Sequence, residues 1–95
     1  MESSRKINNP LHPAVFLQEL LEDMSITPYR LAKDTFMPAT RVSEILKQRR
    51  SITPDTALRL AKYFNTTPNY WVSLQSSYDL SKCHPRHIED IQAIA

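Results

Sequence analysis

The sequence contains no glycine. Two-residue hairpin turns draw their positive-φ positions chiefly from glycine, so its absence weighs against hairpins and for helices. A single cysteine, Cys83, excludes an internal disulfide and points to a reducing compartment or to indifference to redox. No apolar run approaches the roughly 20 residues that a membrane-spanning helix needs. The amino terminus, MESSRKINN, lacks the apolar segment of a secretion signal. A cytoplasmic location is therefore expected, with no membrane partner. Chemistry-bearing constellations are sparse too. Cys83 and His84 are adjacent but have no companion base. His84 and His87 stand at i, i+3 without further ligands, and His12 has no second ligand at helical spacing. Neither an enzyme, a metal site nor a cofactor is expected.

What is present is punctuation. Ninety-five residues with seven prolines make one small domain. Thr27-Pro28, Thr53-Pro54 and Thr67-Pro68 each place a capping hydroxyl before a proline at the first helical position. His12 precedes Pro13 in the same way. Asp55 adds negative charge to the first turn after Pro54. Asn65 can adopt the left-handed conformation that ends a helix. Net charge is only +2, but it is unevenly spread. Glu19, Glu22 and Asp23 make the first helix acidic, whereas Arg41, Lys47, Arg49 and Arg50 make the middle basic. That asymmetry fits one face for DNA and another for something else.

Apolar spacing predicts five helices. The first spans about 13 to 24, with Phe16, Leu17, Leu20, Leu21 and Met24 inward. The second opens at Pro28 and buries Leu31 and Ala32. The third opens at Pro38 with Val42, Ile45 and Leu46 as its apolar stripe. The fourth covers about 54 to 64, with Ala57, Leu60, Ala61 and Phe64 inward. The fifth starts at Pro68 and carries Trp71, Leu74, Gln75 and Tyr78 on one face. Ile88, Ile91 and Ile94 predict one more short amphipathic helix. Residues 1–11 read as a flexible arm, made basic by Arg5 and Lys6. The second and third helices, a tight turn between them and cations just beyond, form a helix-turn-helix layout.

From His12 to Leu80 the sequence closely resembles the HigA/VapI branch of the lambda-repressor-like (Cro/C1-type) helix-turn-helix family. RLAK, RVSEIL, RRSITPDTALRLAKYF and TTPNYWVSLQSSYDL carry the resemblance. It implies an all-α, five-helix fold over 12–80, to which 81–95 adds a short C-terminal helix for dimerisation or partner contact. It further implies a homodimer, repression of its own operon and neutralisation of a HigB toxin, a small RelE-like ribonuclease. By position, Ala39, Thr40, Arg41, Ser43 and Glu44 face the major groove of double-stranded DNA. Arg41 then either grips guanine O6 and N7, touches a phosphate, or pairs with Glu44. Phosphate contacts fall to Thr27, Tyr29 and Arg30 and to Lys47, Arg49 and Arg50. A two-fold dimer on a palindromic operator is expected, through a surface drawn from Trp71, Leu74, Tyr78, Leu80, Ile88 and Ile91, with monomer core the other role for Trp71 and Leu74. The acidic edge Glu19, Glu22 and Asp23 is the candidate toxin contact. Phe36 stands where the family usually has glycine in the turn, so that turn is either rearranged or strained. Two other readings remain: a free-standing Cro/C1-like repressor without a toxin, and an interaction module that has lost DNA binding.

Overall fold

The computed structural model describes residues 10–94, so most of the expected arm lies outside the described residues. Five helices follow one another: α1 (Pro13–Asp23), α2 (Pro28–Thr35), α3 (Ala39–Leu46), α4 (Pro54–Phe64) and α5 (Pro68–Lys82). Among the described residues there is no strand.

Four starts obey one rule. The hydroxyls of Thr27, Thr53 and Thr67 accept hydrogen bonds from the amides of Arg30, Thr56 and Tyr70, at 3.1, 3.4 and 3.2 Å. The ring Nδ1 of His12 accepts from the Ala14 amide at 3.0 Å. Each threonine cap stabilises its helix by about 1 kcal/mol. The start of α3 differs from expectation. Pro38 is the extended residue before the helix rather than its first turn, and Ala39 is the first helical residue. A proline side chain cannot accept, so α3 has no side-chain cap.

The ends also share one device, and here the missing glycine tells. Ser25, Phe36, Gln48 and Asn65, just past α1 to α4, all have left-handed backbones, with φ between 55° and 63°. After each, an amide reaches back five residues: Ile26 to Leu21, Met37 to Ala32, Arg49 to Glu44 and Thr66 to Ala61, at 2.8 to 3.0 Å. These are Schellman closures built on residues that carry a Cβ. Phe36, at φ 59° and ψ 38°, keeps the turn in its ordinary shape and bears the strain.

The core is one cluster. Leu17 and Leu21 of α1, Leu31 of α2, Val42 and Ile45 of α3, Ile52, Leu60 and Phe64, and Trp71 of α5 are all buried in it. Burying each such side chain contributes about 1.5–3 kcal/mol. Met24 departs from expectation: it caps α1 with its side chain half exposed, because Asp23 ends the helix one residue earlier. Helix α3 packs on α1 and α2, while α4 packs on α2 and α5. Trp71 is fully buried, and its indole N–H donates to the Thr66 hydroxyl at 2.9 Å.

Beyond α5, the expected extra helix is a single 3-10 turn, Ile88–Asp90. Ile91 is already extended. Ile88, Ile91 and Ile94 therefore form no helical stripe, although all three are exposed.

Phe36→Gly should raise stability by about 0.5–1 kcal/mol. Left-handed strain of about 1–2 kcal/mol is relieved, against about 0.4–1 kcal/mol of added chain entropy, and the ring loses little burial because the residue is 86% exposed. Urea denaturation measures the difference. Burial holds the His12 imidazole below its ordinary value of 6.5, while the Asp79 carboxylate pulls the other way. The folded state thus binds that proton less readily than the unfolded chain. Its contribution is complete above the unfolded value and declines as pH falls below 6.5 toward the folded value. Melting temperature should drop between pH 7.5 and 5.5, and drop less in His12→Asn, where the cap does not titrate.

Candidate nucleic-acid interface

Helix α3 buries Val42 and Ile45 and leaves Ala39, Thr40 and Glu44 in solvent. Arg41 and Ser43 are half-buried. An amphipathic helix held by one stripe has its opposite face free for a groove. The Lys47, Arg49 and Arg50 side chains stand exposed beyond its C-terminus. At the start of α2, Tyr29 is 72% exposed, and the exposed Arg30 is drawn to Asp34 at 3.1 Å. The residues expected for base and phosphate contact are therefore accessible, with Arg41 and Ser43 only partly so.

Arg41 does not pair with Glu44 in the free chain. Its Nη1 lies 2.6 Å from Asp55 Oδ2 on α4. Glu44 instead sits 3.8 Å from Arg50. Asp55 is shared: Arg59 Nε reaches the same oxygen at 2.9 Å and Nη2 the other at 3.4 Å. Those two arginines hold the Asp55 carboxyl below its ordinary value, Arg59 more than Arg41. Arg59 Nη1 in turn donates to the carbonyls of Thr35 and Phe36 at 2.9 and 3.4 Å. One chain of polar contacts thus ties α3 to α4 and α4 to the end of α2.

A second polar hub braces α2. Asp34 accepts from the Tyr63 hydroxyl at 2.6 Å and from Arg30. Those bonds, Tyr63 first, keep its carboxyl low. Sequence reasoning does not assemble Asp55, Arg59, Asp34 and Tyr63 as a set. Their only sequence trace is the i, i+4 spacing of Asp55 with Arg59 and of Arg30 with Asp34.

The basic loop is anchored from α5. Gln75, 6% exposed, accepts the Ile52 amide at 2.7 Å and donates to Asp79 at 2.9 Å. A buried amide in the α3–α4 connection is thereby satisfied.

The anticipated dimer surface divides. Trp71 is corrected to core, since a side chain with no exposed surface offers nothing to a second chain. Leu74 is half-buried against the core. Tyr78, also half-buried, stands edge-on to His12 with ring centres 5.0 Å apart. Leu80 and Ile91 are 76% and 69% exposed, and Ile88 is exposed as well. Glu19, Glu22 and Asp23 line the outside of α1 in solvent. Among the described residues no group of three His, Cys, Asp or Glu side chains converges on a metal position, and no helix is long and apolar enough to cross a membrane.

The Cro/C1-type helix-turn-helix DNA-binding domain matches residues 17–69. Virulence-associated protein I of Dichelobacter nodosus is 39% identical over 71 residues, 74% of this chain and 66% of that protein. The chain therefore spans just under two thirds of that relative. An addiction module antidote protein of the HigA family from Coxiella burnetii is 47% identical at a TM-score of 0.72, covering 77% of this chain and 80% of that one. Antitoxin HigA of Pseudomonas aeruginosa, solved with the higBA promoter, is 32% identical at a TM-score of 0.82, covering 92% of this chain and all of that one.

The anchor of the basic loop can be tested by itself. Gln75→Leu leaves the Ile52 amide buried without an acceptor. Stability should fall by about 1–3 kcal/mol, read from urea midpoints.

Proposed function

The chain belongs to the Cro/C1-type helix-turn-helix DNA-binding family, and from that premise we propose that it is an operator-binding antitoxin. In this reading it neutralises a HigB-type, RelE-like ribonuclease and represses the operon that encodes the pair. It acts in the cytoplasm as a homodimer. The likeness to HigA-family structures, one of them solved with promoter DNA, supports it. The observation that carries it is the exposed outer face of α3 beside the cations of the α3–α4 loop.

Each part has a physical role. Ala39 and Thr40 are small enough to let α3 sit deep in the major groove, and the Thr40 methyl suits a thymine methyl. Arg41 reads guanine. Ser43 and Glu44 lie one turn further along. Thr27, Tyr29 and Arg30 meet phosphate at the positive end of α2, while Lys47, Arg49 and Arg50 grip the strand on the other side. Phe36 supports the DNA reading over the interaction-module one, because its backbone holds the left-handed turn and α3 keeps its place. One copy spans too few base pairs for selectivity. A symmetric pair on half-sites about 34 Å apart supplies the rest, with Leu80, Ile88 and Ile91 as the apolar surface that joins them. The acidic outside of α1 offers a basic toxin a complementary charge.

Binding to promoter duplex, followed by fluorescence anisotropy, should weaken by about a thousandfold or more between 50 and 200 mM salt. Lys47→Ala and Arg49→Ala should each flatten the salt slope by about one for every phosphate no longer neutralised. Arg41→Ala should lower discrimination at one base pair per half-site by about 1–3 kcal/mol. Salt-independent binding, or none, would sink the operator role. Failure to copurify with the co-expressed product of a neighbouring small basic reading frame would remove the toxin partner while leaving the repressor.

A further inference from the structure

A recognition arginine binds at less entropic cost if it arrives at the base edge already aimed. A free arginine side chain carries large rotamer freedom, which it surrenders on binding. Arg41 is already engaged in the free chain. Its side chain is only 25% exposed, and its Nη1 engages Asp55 Oδ2. A guanidinium has five N–H donors in a rigid fork. With Nη1 held, the Nε–Nη2 edge supplies the parallel pair of donors that guanine O6 and N7 accept.

Asp55 is itself fixed. Arg59 grips both of its carboxylate oxygens, and Arg59 is fixed by the carbonyls at the end of α2. A carboxylate near DNA would ordinarily be repelled by phosphates. Two flanking guanidinium groups cancel that charge and leave the trio net positive. Isolated surface ion pairs contribute little, because two long side chains must be ordered for one weak bond. Here one aspartate serves two arginines and the ordering is shared.

Resting on the DNA-binding reading, we propose that Asp55 is a positioning residue for base recognition: it presents the free edge of Arg41 to guanine and so sets sequence preference from a helix that does not enter the groove. Arg59 is the brace behind it.

The test is enrichment of a randomised-core duplex pool on the full-length protein, with anisotropy titration of the winning duplex and of its single-base variants. Wild type should enrich guanine at one position per half-site. Asp55→Asn should lower the preference for guanine there on the order of tenfold, with the salt slope unchanged. Added to Arg41→Ala, it should change nothing further. The proposal is overturned if Asp55→Asn keeps the wild-type base preference. It is also overturned if that change weakens all duplexes equally, in the Arg41→Ala background as well, because Asp55 would then serve the fold alone. Should Asp55→Asn melt below the assay temperature, Asp55→Ser keeps a residue suited to the first turn of α4 and removes the carboxylate that holds Arg41. An unchanged preference there overturns the proposal equally. If wild type enriches no duplex, the DNA-binding reading falls and this proposal falls with it. If wild type enriches a site and Arg41→Ala loses the guanine preference while Asp55→Asn does not, only the role of Asp55 is lost.

Discussion

The α2–α3 turn sets where α3 points, and that turn is made without glycine. Phe36 adopts a left-handed backbone, a conformation that costs about 1–2 kcal/mol for a residue with a Cβ. The strain persists because the surroundings over-determine it. The Met37 amide closes on Ala32 at 3.0 Å, and the Met37 side chain is buried. Arg59 holds the Thr35 and Phe36 carbonyls from α4. Were the turn to relax, α3 would swing away from α2, and the exposed face carrying Ala39, Thr40 and Glu44 would lose its fixed direction.

The polar contacts around α4 accordingly form a scaffold rather than a scatter of surface pairs. Asp55 and Arg59 stand one turn apart on α4 and reach α3 on one side and α2 on the other. Tyr63, a further turn along, bonds Asp34 on α2. Helix α4 thus touches both helices of the motif through side chains on a single edge, while Ala57, Leu60, Ala61 and Phe64 face the core. The same helix holds the motif together by apolar burial on one face and fixes its angle by hydrogen bonds on another.

Helix starts are legible in the sequence because a Thr-Pro pair is local chemistry: the hydroxyl and the fixed φ act within three residues. Pro38 misleads by one position, since no capping side chain precedes it. Ends are less legible. Asn65 announces itself, but Ser25, Phe36 and Gln48 are poor left-handed residues, placed there by the packing of the helices on either side. Partners remote in sequence are illegible. Arg41 and Asp55 are 14 positions apart, and Ile52 and Gln75 are 23 apart. Nothing in local spacing pairs them, and Glu44 at i+3 is the plausible partner for Arg41. The isoleucine tail misleads in another way. Its spacing fits a helix, but three apolar side chains without a surface to cover do not offset the ordering entropy of a short helix.

The lone tryptophan carries a practical consequence. Trp71 is sealed from water between α4 and α5, its indole N–H is satisfied by Thr66, and Tyr70 and Phe64 stand near its ring. Its intrinsic fluorescence should therefore be blue-shifted in the native chain and move to longer wavelength when the core opens. The exposed α3 side chains Ala39, Thr40 and Glu44 take no part in the cluster that buries Trp71, so DNA held on that face would leave the emission in place. A single optical signal can then separate a variant that has lost its fold from one that has lost its grip.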